Sequence, residues 1–350
     1  MNFPELHERA AFERHRFLLQ PTPTTYFAVK LLQKFAFLIS ISGLFLFLVF
    51  LLEPFFTLRG LPQIDRGGYY TRTKEPLPIW LRFVINISLC LAFWVQHFYL
   101  AKHYRFHKIL ILGSYQHHFY EKPLLVMLSG LELWAMVYLS QPIRDITVMD
   151  WGQGFMQEFM AKVATTLVAS GLLISGRTLY DMRECDLFGF DYIRKMKMLE
   201  GTEFPFRPQM KELSRVALCC RNPLQSGMLM VVAGSMLYPS VPLSFSRFMI
   251  CSMFITGLVQ AAEFNDIYCL RKLGPGRFNT YRDLIARSLL PDLNTLFFKS
   301  EQEIEEMRTK IKQLCLMEDE GAQILEPPIS KQLNPEEQEV LFEDKRQKID

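Results

Sequence analysis

Six residues sit where apolar sequence gives way to charged loop, and their types could act together: His97, Arg221, Asn222, Glu263, Asp266 and Tyr281. Arginine stays charged at any physiological pH, and its planar fork grips a carboxylate through two parallel bonds. Aspartate and glutamate are its natural counter-charges. Histidine exchanges a proton near neutrality, whereas asparagine donates and accepts hydrogen bonds without titrating. Such a set could converge on one pocket, with Arg221 either clamping a ligand carboxylate or anchoring a helix end to lipid phosphates. Glu132 stands apart from it. It lies about nine residues into an apolar run, roughly 13 Å deep at helical rise, too far from His97 to pair, and reads as a protonated carboxyl packed between helices.

Other chemistry is thinly represented. The seven cysteines, at 90, 185, 219, 220, 251, 269 and 315, form no C-x-x-C pair and have no histidine spacing beside them, so they read as free thiols and no metal site is expected. The chain has no G-x-S-x-G, no P-loop, no H-E-x-x-H and no dinucleotide fingerprint. Gly274-Pro275-Gly276 reads as a turn. A net charge of +3 over 350 residues argues against a dedicated nucleic-acid binder.

The elements that would position these groups are membrane helices. Half the residues are apolar and thirty are Phe, concentrated between Phe35 and Ala262. A crossing needs about 20 mostly apolar residues. Six runs qualify: Phe35–Leu52, Ile79–Leu100, Pro123–Ser140, Met156–Ile174, Leu224–Leu237 and Phe245–Ala262. The fifth is short, and either Val216–Cys220 lengthens it or it dips without crossing. The fifth and sixth form a hairpin through Tyr238-Pro239-Ser240-Val241-Pro242. Lys and Arg crowd the N-terminal segment, the loop after the second run and above all the loop after the fourth. This asymmetry places both termini on the cytosolic or nucleoplasmic side. The first thirty residues lack the pattern of a cleaved signal peptide.

The expected fold class is therefore all-α, a polytopic membrane bundle of about six transmembrane helices. Residues 1–34 form a cytosolic N-terminal segment. Residues 35–293 form the membrane domain, with an interfacial loop at 175–223. Residues 294–350 form an acidic, largely disordered C-terminal tail, in which Ser300–Met317 reads as one exposed helix with Ile304, Met307, Ile311 and Leu314 at helical spacing.

Arg221-Asn222-Pro223-Leu224-Gln225-Ser226-Gly227 resembles the R-H-P-x-Y-x-G motif of the isoprenylcysteine carboxyl methyltransferase superfamily. There the motif precedes a membrane hairpin, an acidic pair, a Leu, a Gly, two spaced tyrosines and a Pro. Here Asn265-Asp266, Leu270, Gly274, Phe278, Tyr281 and Pro291 follow in that order. Within the superfamily the chain is similar to the nurim family of the inner nuclear membrane, through Gln96-His97, Lys102–Lys108, Ser140-Gln141-Pro142-Ile143 and Asp181–Tyr192. The resemblance covers Phe35–Leu293. It implies an integral protein of the nuclear envelope with a structural or interaction role, partnered by the lipid bilayer and nuclear-envelope proteins and not by nucleic acid. No cofactor is expected on this reading.

The alternative implied by the superfamily is a methyltransferase that takes S-adenosylmethionine to a lipid-soluble thiol or carboxyl. On that reading Arg221, Asn222, Asp266, Glu263, His97 and Tyr281 line the cofactor site. Asn222 replaces the motif histidine, Gln225 the first tyrosine, and Asn265-Asp266 the acidic pair. Asparagine cannot titrate near neutral pH, which removes acid–base chemistry at that position, while binding of a sulfonium donor needs positioning more than proton transfer. A transporter fits least, because so few buried charges leave no ion path.

Overall fold

The computed structural model describes residues 23–55, 64, 77–96, 117–143, 145–181, 214–239 and 242–325. These are mostly helical: α1 Pro23–Leu51, α2 Ile79–Trp94, α3 His117–Leu139, α4 Phe155–Asp181, α5 Arg215–Cys219, α6 Pro223–Leu237, α7 Phe245–Leu284 and α8 Glu301–Leu325, with a π-helical turn at Asn294–Phe298. Two short strands, β1 Thr147–Met149 and β2 Leu243–Ser244, pair antiparallel, a small departure from the all-α expectation.

Among the described residues, three helical segments are long and apolar enough to cross a membrane, Tyr26–Leu51, Phe155–Asp181 and Phe245–Ile267. Ile79–Trp94, Pro123–Leu139 and Pro223–Leu237 are apolar but shorter. Large apolar side chains face outward as well as inward: Phe45 on α1, Trp80 on α2, and Phe155 and Leu173 on α4 are exposed. That pattern suits a lipid surround and not water. The chain is thus a membrane-embedded, multi-pass protein.

Packing contacts fix the direction of each helix. Ser235 Oγ donates to the Leu51 carbonyl, Phe55 stacks near Tyr238, and Arg82 Nη1 donates to the Pro142 carbonyl at 3.0 Å and pairs with Asp145 at 3.3 Å. Gln157 Nε2 reaches the Pro239 carbonyl, and β1 and β2 join at the same end. The C-terminal ends of α1, α3 and α6 and the N-terminal ends of α2, α4 and α7 therefore share one side of the bundle. At the other end, Gln96 Nε2 bonds the Leu125 carbonyl and Ser129 Oγ bonds Gln96 Oε1.

Between helices in lipid there is little hydrophobic driving force, so close packing of small residues carries the association. α4 and α6 meet at Gly171 and Gly227. A Cβ on Gly171 would lie 2.5 Å from the Gly227 carbonyl oxygen, and one on Gly227 would strike Ser175 Oγ. α1 and α3 approach as closely at Gly43 and Gly130, where a Cβ on Gly130 would lie 2.6 Å from Ser40 Cα. Trp134 Nε1 closes that seam by donating to Ser42 Oγ at 3.1 Å. The core between them gathers Phe47, Phe50, Cys90, Phe93, Met136, Val137, Val232 and Ile250. Arg247, near the start of α7, is wholly buried, an ionisable group the hydropathy reading passed over.

Several expected boundaries move. α1 begins at Pro23, so residues 23–34 are helix and not a loose N-terminal segment. Proline fits the first helical turn, where its missing N–H costs nothing. α4 runs on to Asp181, past the expected end at Ile174. Val216–Cys220 does not lengthen α6: Arg215–Cys219 is a separate turn of helix, and Cys220 is fully extended. Most of the interfacial loop, the basic stretch after the second run and His97 lie outside the described residues.

The tail needs the largest correction. Asn294–Phe298 and Glu301–Leu325 are helical, and α8 is docked, not exposed. Its Ile304, Met307 and Ile311 are buried against Leu218, Tyr281, Leu284 and Ile285. Ser300 and Glu303 cap its start reciprocally, Ser300 N–H to Glu303 Oε2 at 2.7 Å and Glu303 N–H to Ser300 Oγ at 3.3 Å. Arg215 pairs with Glu301 at 2.8 Å across the junction.

Candidate functional site

The sequence Arg221-Asn222-Pro223 forces a break. Proline disfavours helical backbone in the residue before it, and Asn222 accordingly sits at φ −126°, ψ 63°. Pro223 then opens α6. The freed backbone is paired elsewhere: Arg221 N–H donates to the Arg287 carbonyl and Asn222 N–H to the Ser288 carbonyl, both at 3.0 Å, while Asp292 N–H donates to the Cys219 carbonyl at 2.8 Å.

What returns residues 285–292 to this point is the break in α7 at Gly274, with φ 74° and ψ 163°. Nothing crowds this glycine; its backbone conformation is one that only glycine adopts readily. Pro275 starts a second limb, which runs back toward the bundle. Asp266 on the first limb thereby meets Ser288 beyond the second, Ser288 Oγ donating to Asp266 Oδ2 at 2.8 Å. The turn read at Gly274-Pro275-Gly276 is the tip of a helical hairpin.

Arg221 is the centre of the junction. Its Nη2 donates to Asp266 Oδ2 at 2.8 Å, and Nε lies 3.2 Å from Oδ1 and 3.3 Å from Oδ2. Its Nη1 donates to the carbonyls of Ile285 at 2.7 Å and Ala286 at 2.8 Å. Four of the five guanidinium N–H groups are thus spent within the protein. The side chains of the pair are 8% and 21% exposed. Hydrogen bonds to Asp266 push the Arg221 pKa above its ordinary value, against the opposing pull of burial.

Asn222 is buried and uses both ends of its amide. Its Nδ2 donates to Asp266 Oδ1 at 3.2 Å and Ser288 Oγ at 3.1 Å, and its Oδ1 accepts from Asn265 Nδ2 at 3.1 Å. A neutral imidazole would bring one donor and one acceptor on separate ring atoms, and could not serve two acceptors from one nitrogen. Asparagine here is a three-way tie.

Of the six expected residues, Arg221, Asn222 and Asp266 come together. Tyr281 packs in the neighbouring apolar cluster under α8. Glu263 does not join them. Asn265 and Asp266 both reach Asn222 with their side chains, whereas Glu263, three residues before Asp266, lies about 60° from it on the side away from Asn265 and is exposed. Ser288 and the carbonyls of Ile285 and Ala286 complete the site and had no motif to announce them. Asn265 was visible only as a degenerate member of the acidic pair. Glu132 is half-buried, and its Oε2 has no hydrogen bond among the described residues.

Chemically the junction holds one charged pair and neutral amides and hydroxyls. A ligand carboxylate could grip the Arg221 fork through two parallel bonds only by displacing Asp266 or a main-chain carbonyl. No family model, no curated protein and no solved structure matches the chain.

Proposed function

We propose that this chain is a nurim-like integral membrane protein of the nuclear envelope, acting as a structural or interaction component and not as a methyltransferase. The observation that carries the second half is the engagement of Arg221. The residue that would clamp a cofactor carboxylate is bonded to Asp266 and to the Ile285 and Ala286 carbonyls. Asn222 is tied to Asp266, Ser288 and Asn265. The motif residues hold three segments of chain together. The nuclear-envelope half rests on the sequence resemblance. Six crossings, with the Arg221 end toward the cytosol or nucleoplasm, are part of this proposal; the alternating helix directions and the basic loops support them.

The methyltransferase reading keeps one point in its favour, since Arg221 points inward and not toward lipid phosphates. Titration of the detergent-purified full-length protein with S-adenosylmethionine separates the two. No binding up to millimolar concentration is expected. Saturable binding would replace the structural reading with the enzymatic one. A fluorescent fusion should mark a sharp nuclear rim that resists detergent extraction; an even reticular or plasma-membrane pattern would count against the nurim-like assignment.

A further inference from the structure

The stretch from Leu290 to Phe298 is built inside out. Leu290, Leu293, Phe297 and Phe298 are 62%, 58%, 67% and 79% exposed. Thr295, on the opposite side of the turn, is buried, and its hydroxyl donates to Asp292 Oδ2 at 2.6 Å. A segment facing water would place these groups the other way round. We infer that Leu290–Phe298 is an interfacial anchor whose apolar side chains insert into the lipid leaflet on the Arg221 side of the membrane.

Its level in the bundle supports this occupant. Asn222 N–H bonds the Ser288 carbonyl, and Asp292 N–H bonds the Cys219 carbonyl. Both tie the segment to residues one to four positions before Pro223, where the apolar helix α6 begins. The patch therefore stands at the rim of the apolar bundle, whose outward-facing residues include Leu173 on α4. Basic residues flank it, Arg287 before and Lys299 after, as suits phosphate headgroups above buried aromatic rings. The inference rests on α6 crossing the membrane with its N-terminus at this rim.

The test uses full-length protein reconstituted in phosphatidylcholine vesicles, with p-benzoyl-phenylalanine in place of Phe298, an exposed position that tolerates the larger ring. Leu173 and Gln302 receive the same probe as lipid-facing and water-facing references. After irradiation, adducts are identified by mass spectrometry. The expected result is phospholipid adduct at position 298 within about twofold of that at 173 and about tenfold above that at 302. Lipid adduct at 173 with none at 298 overturns the anchor while leaving the membrane reading intact. Cross-links from 298 to a second copy of the chain overturn it in favour of a protein interface. Absence of lipid adduct at 173 overturns the membrane placement on which the anchor depends.

Discussion

Arg221 and Asp266 form a mostly buried ion pair, and the cost of breaking it is asymmetric. Removing one member strands the other in a site that has lost its counter-charge, a change worth about 3–5 kcal/mol when burial is complete. Arg221→Ala and Asp266→Ala are each expected to lower the detergent melting temperature sharply. Arg221→Met with Asp266→Leu should recover much of that loss, because two apolar groups leave no stranded charge. A double variant no more stable than the singles would mean that the carbonyl bonds, not the charge pair, carry the junction. Asn222→His restores the motif residue but breaks the amide tie to Asp266, Ser288 and Asn265. It is expected to destabilise the protein by about 1–3 kcal/mol without creating affinity for S-adenosylmethionine, as read by melting and titration of the same sample. At this scale the sequence was partly legible. Arg221, Asn222 and Asp266 were found by motif order. Ser288 was not, because its place depends on a hairpin tip fourteen residues earlier. Glu263 was misplaced because proximity in sequence was read without the helical angle that sets it on the far side of Asp266 from Asn265, away from Asn222.

Helix contacts make a sharper test than hydropathy, since two glycines five residues apart on α4 have opposite surroundings. A Cβ on Gly171 meets the Gly227 carbonyl, whereas one on Gly176 meets nothing within 4 Å. Gly171→Ala should destabilise the α4–α6 pair and lower the melting temperature. Gly176→Ala should be neutral or slightly stabilising, because alanine favours the helix by about 1 kcal/mol over glycine. Equal effects at the two sites would remove the case for small-residue packing. A second element, α8, depends on the turn before it. Hydrogen bonds from Thr295 and from the N–H groups of Asn294 and Thr295 outweigh burial and hold the Asp292 carboxyl below its ordinary pKa. A depressed carboxyl contributes stability above its unfolded value, here 3.8, and loses it as pH falls through the lower folded value. Amide exchange at Ile304–Ile311, corrected for intrinsic rate, should accelerate as pH falls below 3.8, and Asp292→Asn should remove that dependence. The existence of the apolar helices was legible from length and composition alone. The docking of α8 was not, because Ile304, Met307 and Ile311 show the same spacing in a free amphipathic helix as in a packed one.

For the molecule as a whole, alternating helix directions bring three connections to the β1–β2 end and leave the Arg221 junction, the start of α1 and α8 at the other. The proposed six-span topology predicts that glycosylation acceptors placed after Pro54 or before Ile79 are modified, and that acceptors fused at Met1 or Asp350 are not. Modification at either terminus would sink the arrangement. Cutting the chain separates the two parts of the tail. Truncation after Leu325 should leave yield and melting nearly unchanged, whereas truncation after Ser300 uncovers Leu218 and Ile285 and should lower both. The overall architecture was legible because lipid imposes a length and polarity rule on every crossing. What joins the crossings was not, since the tie between residues 221, 266 and 288 is set by geometry that no local pattern encodes.

That tie also imposes an order on biosynthesis. The ribosome delivers Arg221 and α6 long before Asp266, and Ala286 and Ser288 later still. Until the returning limb beyond Gly274 has emerged, the arginine at the edge of a fifteen-residue helix lacks the partners that surround it in the finished protein. Nascent chains stalled between Ala262 and Ser288 would hold α6 in an unfinished state open to quality control, and its final seat is fixed only once α6 and α7 can settle as one hairpin.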